Sequence, residues 1–190
     1  MAHRPERSNR GPAAAPENRR AILLAARRLF TERGYRVPLS AIAREAGVGQ
    51  GVLYRHFPTR LDLAHAVFEA NFTELEGIAA DETPGAFARF WNRVVDLTVT
   101  DSAFVEMVVD ARRTQEDYDG GQRLRRMITP LLARAHQAEE VPATLTVDDL
   151  VLVQRMVYGV VVTAHDDAEA HRSAARAMEL VGLGEISGPA

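Results

Sequence analysis

With 190 residues and 46% hydrophobic content, the chain can build one good core or two small ones. The absence of cysteine excludes a disulfide framework, a thiolate metal site and a cysteine nucleophile, and no apolar run approaches the roughly 18–20 residues that span a bilayer. The formal charge of -3 hides a polarity: residues 1–60 carry 12 arginines against 4 glutamates, net +8, whereas residues 61–190 carry 11 arginines against 22 acids, net -11, so one end suits a polyanion and the other repels it.

Residues 1 to about 16 (MAHRPERSNRGPAAAP) show no periodicity and cannot bury enough apolar surface to offset their ordering entropy. They lack the apolar centre of a signal peptide, so a soluble cytoplasmic protein is expected. The segment is expected to be a disordered basic arm whose Arg4, Arg7 and Arg10 can lie along phosphates, a solubilising tail being the plainer reading. From Glu17 the pattern becomes helical. Ile22, Leu23, Ala26, Leu29 and Phe30 form one stripe, Arg19, Arg20, Arg27 and Arg28 lie off it, and Gly34 ends the helix. Tyr35 anchors the link that follows, and Pro38 pre-sets the start of a second helix.

Leu39 to Phe57, LSAIAREAGVGQGVLYRHF, reads as a helix-turn-helix. Ile42, Ala43 and Ala46 share the buried face of a short helix, which Gly47 closes in the left-handed conformation that a side chain would penalise. Val48 plugs the space between the helices, and Gly49 takes the N-cap of the next one. There Leu53 and Phe57, four apart, must face inward, which leaves Gln50, Gly51, Val52, Tyr54, Arg55 and His56 toward solvent. A face of this kind, almost without acids, suits a DNA major groove. Pro58 stops the helix, and Thr59 with Asp62 caps a fourth, from about Arg60 to Ala80, with Leu61, Ala64, Phe68, Phe72 and Leu75 inward. Arg60 stands where a helix N-terminus can meet a phosphate.

The run AIAREAGVGQGVLYRHFPTRLDL closely resembles the DNA-binding signature of the TetR family of bacterial transcriptional regulators: a helix, the AGV turn, the G-x-LY-x-x-F recognition helix, and the F-x-[ST]-[KR]-x-x-L lead into helix four. The resemblance covers about residues 17 to 75. It implies an all-helical homodimer that blocks promoters until a small molecule binds the C-terminal domain. It also implies base-reading positions at Gln50, Gly51, Val52 and Arg55, a mixed base and phosphate position at Tyr54, and phosphate positions at His56 and Arg60. Two departures stand out. Gly49 replaces the usual Ser or Thr, and Val37-Pro38 replaces the Thr or Ser that often starts helix two; Ser40 or Arg36 is then the candidate for a phosphate contact there.

The remainder is periodic but less specific. Thr83-Pro84 is expected to cap a helix to about Thr100, and a further helix runs from about Ser102 to Gln115. Asp119-Gly120-Gly121 breaks the chain before a helix from about Gln122 to Glu139, which Pro130 is expected to kink or split. Thr146 with Asp149 caps the next, to about His165; it is apolar nearly all round and so is expected to be buried on more than one side. A last helix spans about Ala168 to Leu183, and the final two are expected to form a four-helix interface between two subunits.

The fold expected is thus all-α with about nine helices: a basic arm at 1–16, a three-helix helix-turn-helix DNA-binding domain at 17–75 (motif about 38–57), and an effector-binding and dimerisation domain at 76–190. Apolar and adaptable side chains that suit a small apolar effector are Tyr158, Trp91, Phe68, Phe72, Phe87, Phe104, Met107, Met127 and Met156, each of which would also serve as plain core. His165, Asp167, Glu169 and His171 have i, i+4 spacing for a metal, but acids at a helix start are explained by its dipole. No cofactor is expected. The function expected is a sequence-specific regulator, a repressor released from a palindromic operator by an effector; the alternatives are a regulator without an effector and, last, an enzyme on an apolar substrate, for which no H-E-x-x-H, phosphate loop or nucleophile elbow is present.

Overall fold

The computed structural model describes residues 15–114 and 120–184. Those residues form nine helices and no strand. The chain divides into two compact units, one up to Val67 and one from Phe68, with the boundary inside a helix.

The first unit holds α1 (Ala15–Arg33), α2 (Leu39–Glu45), α3 (Gln50–His56) and the start of α4 (Arg60–Ala79). α1 opens at Ala15, because Pro16 sits comfortably in a first turn, where its missing N–H costs nothing. The rest of the expected arm, with Arg4, Arg7 and Arg10, lies outside the described residues. Ile22, Ala25, Ala26, Leu29 and Phe30 are buried, while Leu23 is half-buried. Gly34 (φ 77) and Gly47 (φ 68) both take the left-handed conformation that ends α1 and α2. The buried Tyr35 ring stands 5.9 Å from that of Phe30 and fixes the link between them. At α4 the Thr59 N–H donates to Asp62 at 2.9 Å and the Asp62 N–H donates back to the Thr59 hydroxyl at 3.0 Å, a capping box.

The second unit holds the rest of α4 with α5 (Ala86–Thr100), α6 (Ser102–Thr114), α7 (Gly120–Gln137), α8 (Val147–Thr163) and α9 (Asp167–Leu180). Phe68, Phe90, Trp91, Met107, Ile128 and Leu131 are fully buried in its core. Arg123 of α7 is tied to α4: it reaches Glu76 at 2.6 Å and Glu69 at 3.0 Å, and its guanidinium lies 4.4 Å from the centre of the Phe72 ring.

Two further features differ from the sequence reading. Thr83-Pro84 does not start α5; Gly85 is left-handed (φ 75), so the helix begins at Ala86, and the Thr83 hydroxyl instead accepts from Arg89. Pro130 does not split α7, which runs on because Met127, Ile128, Leu131 and Leu132 bury on both sides of an exposed proline. Within the chain α8 is buried on one face, by Leu150, Val153, Val157 and Val161, and Leu152, Met156 and Val162 are about half exposed.

Two local hydrogen-bonded carboxylates carry an electrostatic signature. The backbone N–H of Thr83, followed by its hydroxyl and Arg89, holds the Asp81 carboxyl down at about 2, and the Thr146 hydroxyl and N–H hold that of Asp149 below its ordinary 3.8. A carboxylate depressed in the folded state contributes stability above its unfolded value, and that contribution is lost as pH falls through the folded one. Asp149→Asn, which has no charge to lose, is therefore expected to melt below the wild type at neutral pH by circular dichroism. The gap should close on acidification below about 3.8; a gap that widens would contradict the capping role.

Candidate nucleic-acid interface and ligand cavity

The turn between α2 and α3 is held by backbone alone: Gly47 N–H donates to Arg44 at 3.1 Å and Val48 N–H to Ala43 at 3.0 Å. Leu53 and Phe57 are buried at 1% and 3% exposure, which fixes the rotation of α3. Gln50, Gly51, Tyr54 and Arg55 are exposed as a result, with Val52 and His56 half-buried beside them. Ser40, in the first turn of α2, and Arg36, in the preceding link, are exposed too. Pro38 at the start of α2 and Gly49 at the start of α3 supply no side-chain cap. Gly51 has no reason within the chain to be glycine: a Cβ there would meet nothing within 4 Å, and its backbone is not left-handed. Glycine inside a helix costs about 0.5–1 kcal/mol relative to alanine, so its use here fits a surface that another body approaches closely.

Several arginines of this unit are engaged within it. Arg60 is half-buried, its Nη1 donating to the carbonyls of Tyr35 (2.7 Å) and Val37, with the guanidinium 5.6 Å from the centre of the Tyr35 ring. It stitches the α1–α2 link to the start of α4, a duty its position as a phosphate candidate did not suggest. Arg28 pairs with Glu45 at 2.7 Å, Arg27 donates to the Val67 carbonyl at 3.3 Å, and Arg19 lies 5.3 Å from the centre of the Phe57 ring. Arg36, Arg44 and Arg55 are exposed and make no ion pair among the described residues.

Residues 22–67 match the profile of bacterial regulatory proteins, tetR family. A TetR transcriptional regulator from Streptomyces coelicolor is 30% identical in sequence, over 87% of this chain and 97% of that one, with a TM-score of 0.57. This chain belongs to the TetR family. A second solved structure, a gamma-butyrolactone receptor described as ArpA-like, is 25% identical over 88% of this chain and 87% of its own, with a TM-score of 0.58. Among curated proteins, an HTH-type transcriptional regulator of Staphylococcus aureus is 43% identical over 56 residues. That match spans 29% of this chain and 30% of the relative, so the chain matches under a third of such relatives' length. TetR-family proteins are DNA-binding transcription regulators and not enzymes.

In the second unit a cavity of about 120 Å³ opens between α4, α5 and α6 on one side and α7 and α8 on the other. Phe72 and Phe104, with rings 5.1 Å apart and edge-on, line it together with Leu75, Val94, Leu97 and Val105. Leu124, Arg125, Val151 and Gln154 form the opposite wall. Of the other side chains singled out in the sequence, Phe68 backs Phe104 at 5.5 Å, while Trp91, Met107 and Met127 are buried in the core without lining the cavity. Phe87 lines a separate, more polar hollow beside Arg134 and Glu140. Tyr158 is half-buried off the cavity, and Met156, 46% exposed, is on the outer face of α8. A preference for aromatic and Met side chains passes over the aliphatic liners, whose sequence signal is the shared inner face of Val94, Leu97 and Thr98 on α5. Neither His165, which contacts Glu169 at 3.0 Å, nor His171, which bonds the Asp167 carbonyl at 2.7 Å, belongs to a group of three metal-binding side chains among the described residues.

Removing the Arg60 fork leaves two carbonyls in a partly buried link without their donor. Arg60→Ala is expected to lower the unfolding free energy by about 1–2 kcal/mol, and Arg60→Lys to recover part of it, since an ammonium can donate to the same two carbonyls but lacks the planar guanidinium that lies by the Tyr35 ring. Urea denaturation checks this, and stability equal to the wild type's would show that water satisfies the carbonyls equally well.

Proposed function

We propose that the protein is a cytoplasmic homodimeric repressor that reads a roughly two-fold symmetric operator with two copies of α3 and leaves it when a small molecule enters the cavity of the second unit. The observation that carries the reading is the bare face of α3 in a member of a DNA-binding family: Gln50, Gly51, Tyr54 and Arg55 outward, with Arg36, Arg44 and Arg55 unpaired among the described residues. Gln and Arg are suited to paired hydrogen bonds with adenine and guanine edges, and Ser40, His56 and the free part of Arg60 to phosphate. A pair of recognition helices about 34 Å apart would meet successive major grooves. Val52 would supply an apolar contact to a thymine methyl.

The dimer is supported by α8. Leu152, Met156 and Gly159 lie on one outward stripe at i, i+4 and i+7, with Val162 beside it. Gly159 is mid-helix, exposed, and a Cβ on it would meet nothing within 4 Å. Close approach of a second helix accounts for both the bare apolar side chains and the glycine. Leu180 of α9, 70% exposed, extends the same kind of surface. Control by an effector is supported by the cavity, and by a relative that is a receptor for a small molecule.

The first test is selection of bound sites from genomic DNA, followed by gel shifts on the recovered sequence. Arg55→Ala and Gln50→Ala are expected to cost about 1–3 kcal/mol of binding and to relax sequence preference. Gly51→Ala should weaken binding while slightly stabilising the free protein, and equal affinity for all three variants would remove α3 as the reader. For the interface, Gly159→Leu is expected to yield monomers by light scattering with helix content intact and operator affinity reduced; a dimer that survives would place the interface elsewhere.

A further inference from the structure

We propose that the cavity of the second unit takes a small carboxylate whose apolar body is about the size of one aromatic ring. The inference rests on the reading that this cavity receives the effector, and it names the chemistry that effector must have. Size comes first. At about 120 Å³ the space is close to an apolar cavity of roughly 150 Å³ that holds one benzene, so a fused-ring or long-chain body is too large.

The two walls differ in chemistry. The α4–α6 wall is apolar apart from Thr98, which is 1% exposed and spends its hydroxyl on the Val94 carbonyl at 2.8 Å. Polar side chains enter from the α7–α8 wall, where Arg125 and Gln154 line the cavity, and no carboxylate is among the lining side chains. A cation placed in the cavity would lose its hydration with no carboxylate in the lining, the nearest being Asp148 on the solvent side of Arg125, whereas an anion meets the Arg125 charge. The Arg125 side chain is 44% exposed, which sets it at the rim with the apolar walls deeper in. Its Nη1 holds Asp148, whose side chain is 79% exposed, so the pair is well solvated and weakly held. The remaining guanidinium N–H groups can grip an incoming carboxylate, which would also displace Asp148 at little cost.

Benzoate, toluene and benzylamine share one shape and carry a negative, absent and positive charge. Titrated calorimetrically into the full-length protein, they are expected to bind in that order of affinity, with benzoate tighter than toluene by about tenfold or more. Arg125→Met should abolish the benzoate advantage and leave toluene unchanged, toluene reporting that the cavity is intact. Benzylamine binding as tightly as benzoate, or no binding of any of the three at millimolar concentration, overturns the proposal whether or not the variant folds. Operator release separates the two readings: a larger or cationic compound that frees the operator sinks the ligand class and leaves effector control standing. Benzoate that binds in the expected order without altering operator affinity supports the ligand class and counts against effector control.

Discussion

What α3 shows to the outside is decided by what Leu53 and Phe57 do on the inside. A seven-residue helix has too few backbone hydrogen bonds to hold its own orientation, so its rotation is imposed by two buried side chains set four apart. Successive residues are about 100° apart around a helix, and sliding the anchor by one position would carry Tyr54 or Val52 inward and replace the whole outward set. The left-handed turn at Gly47 serves the same end, since it delivers α3 to the place where Leu53 can be buried.

This dependence explains how much was legible in the sequence. The motif could be read because its parts constrain one another: a glycine that must be left-handed, a spacing that must bury two large side chains, and a proline that must end the helix. The Thr59–Asp62 and Thr146–Asp149 boxes are equally local and equally visible. Pro130 does not divide α7 because a lost backbone bond is a local penalty, whereas the helix is kept whole by side chains packing on both sides of it. Thr83-Pro84 does not start α5 for the reverse reason: the left-handed Gly85 next to it moves the helix start, and threonine is drawn into the Asp81–Arg89 network. The cavity was harder still. A helix that lines a hollow and one that fills a core bury the same apolar stripe, and the pattern does not separate Phe72 from Phe68.

The charge count also needs a structural correction. A net charge of +8 over residues 1–60 points to a polyanion, yet Arg27, Arg28 and Arg60 are engaged in holding the unit together and Arg19 leans on an aromatic ring. Guanidinium groups can do this because their planar array of donors satisfies several carbonyl or carboxylate oxygens at once. The cations left for a partner are fewer, and Arg36, Arg44 and Arg55 among them belong to α2, α3 and the link before them. Specific placement, more than total charge, distinguishes that face.

Phe72 has a double allegiance. Its ring is part of the cavity wall and also the platform under Arg123, which grips Glu69 and Glu76 nearly two turns apart along α4. Reshaping this ring to suit a different guest would therefore loosen a brace between two helices. Diversification of taste in such a protein has its freest route through Val108 or Leu124, neighbours of the same hollow that brace no ion pair among the described residues.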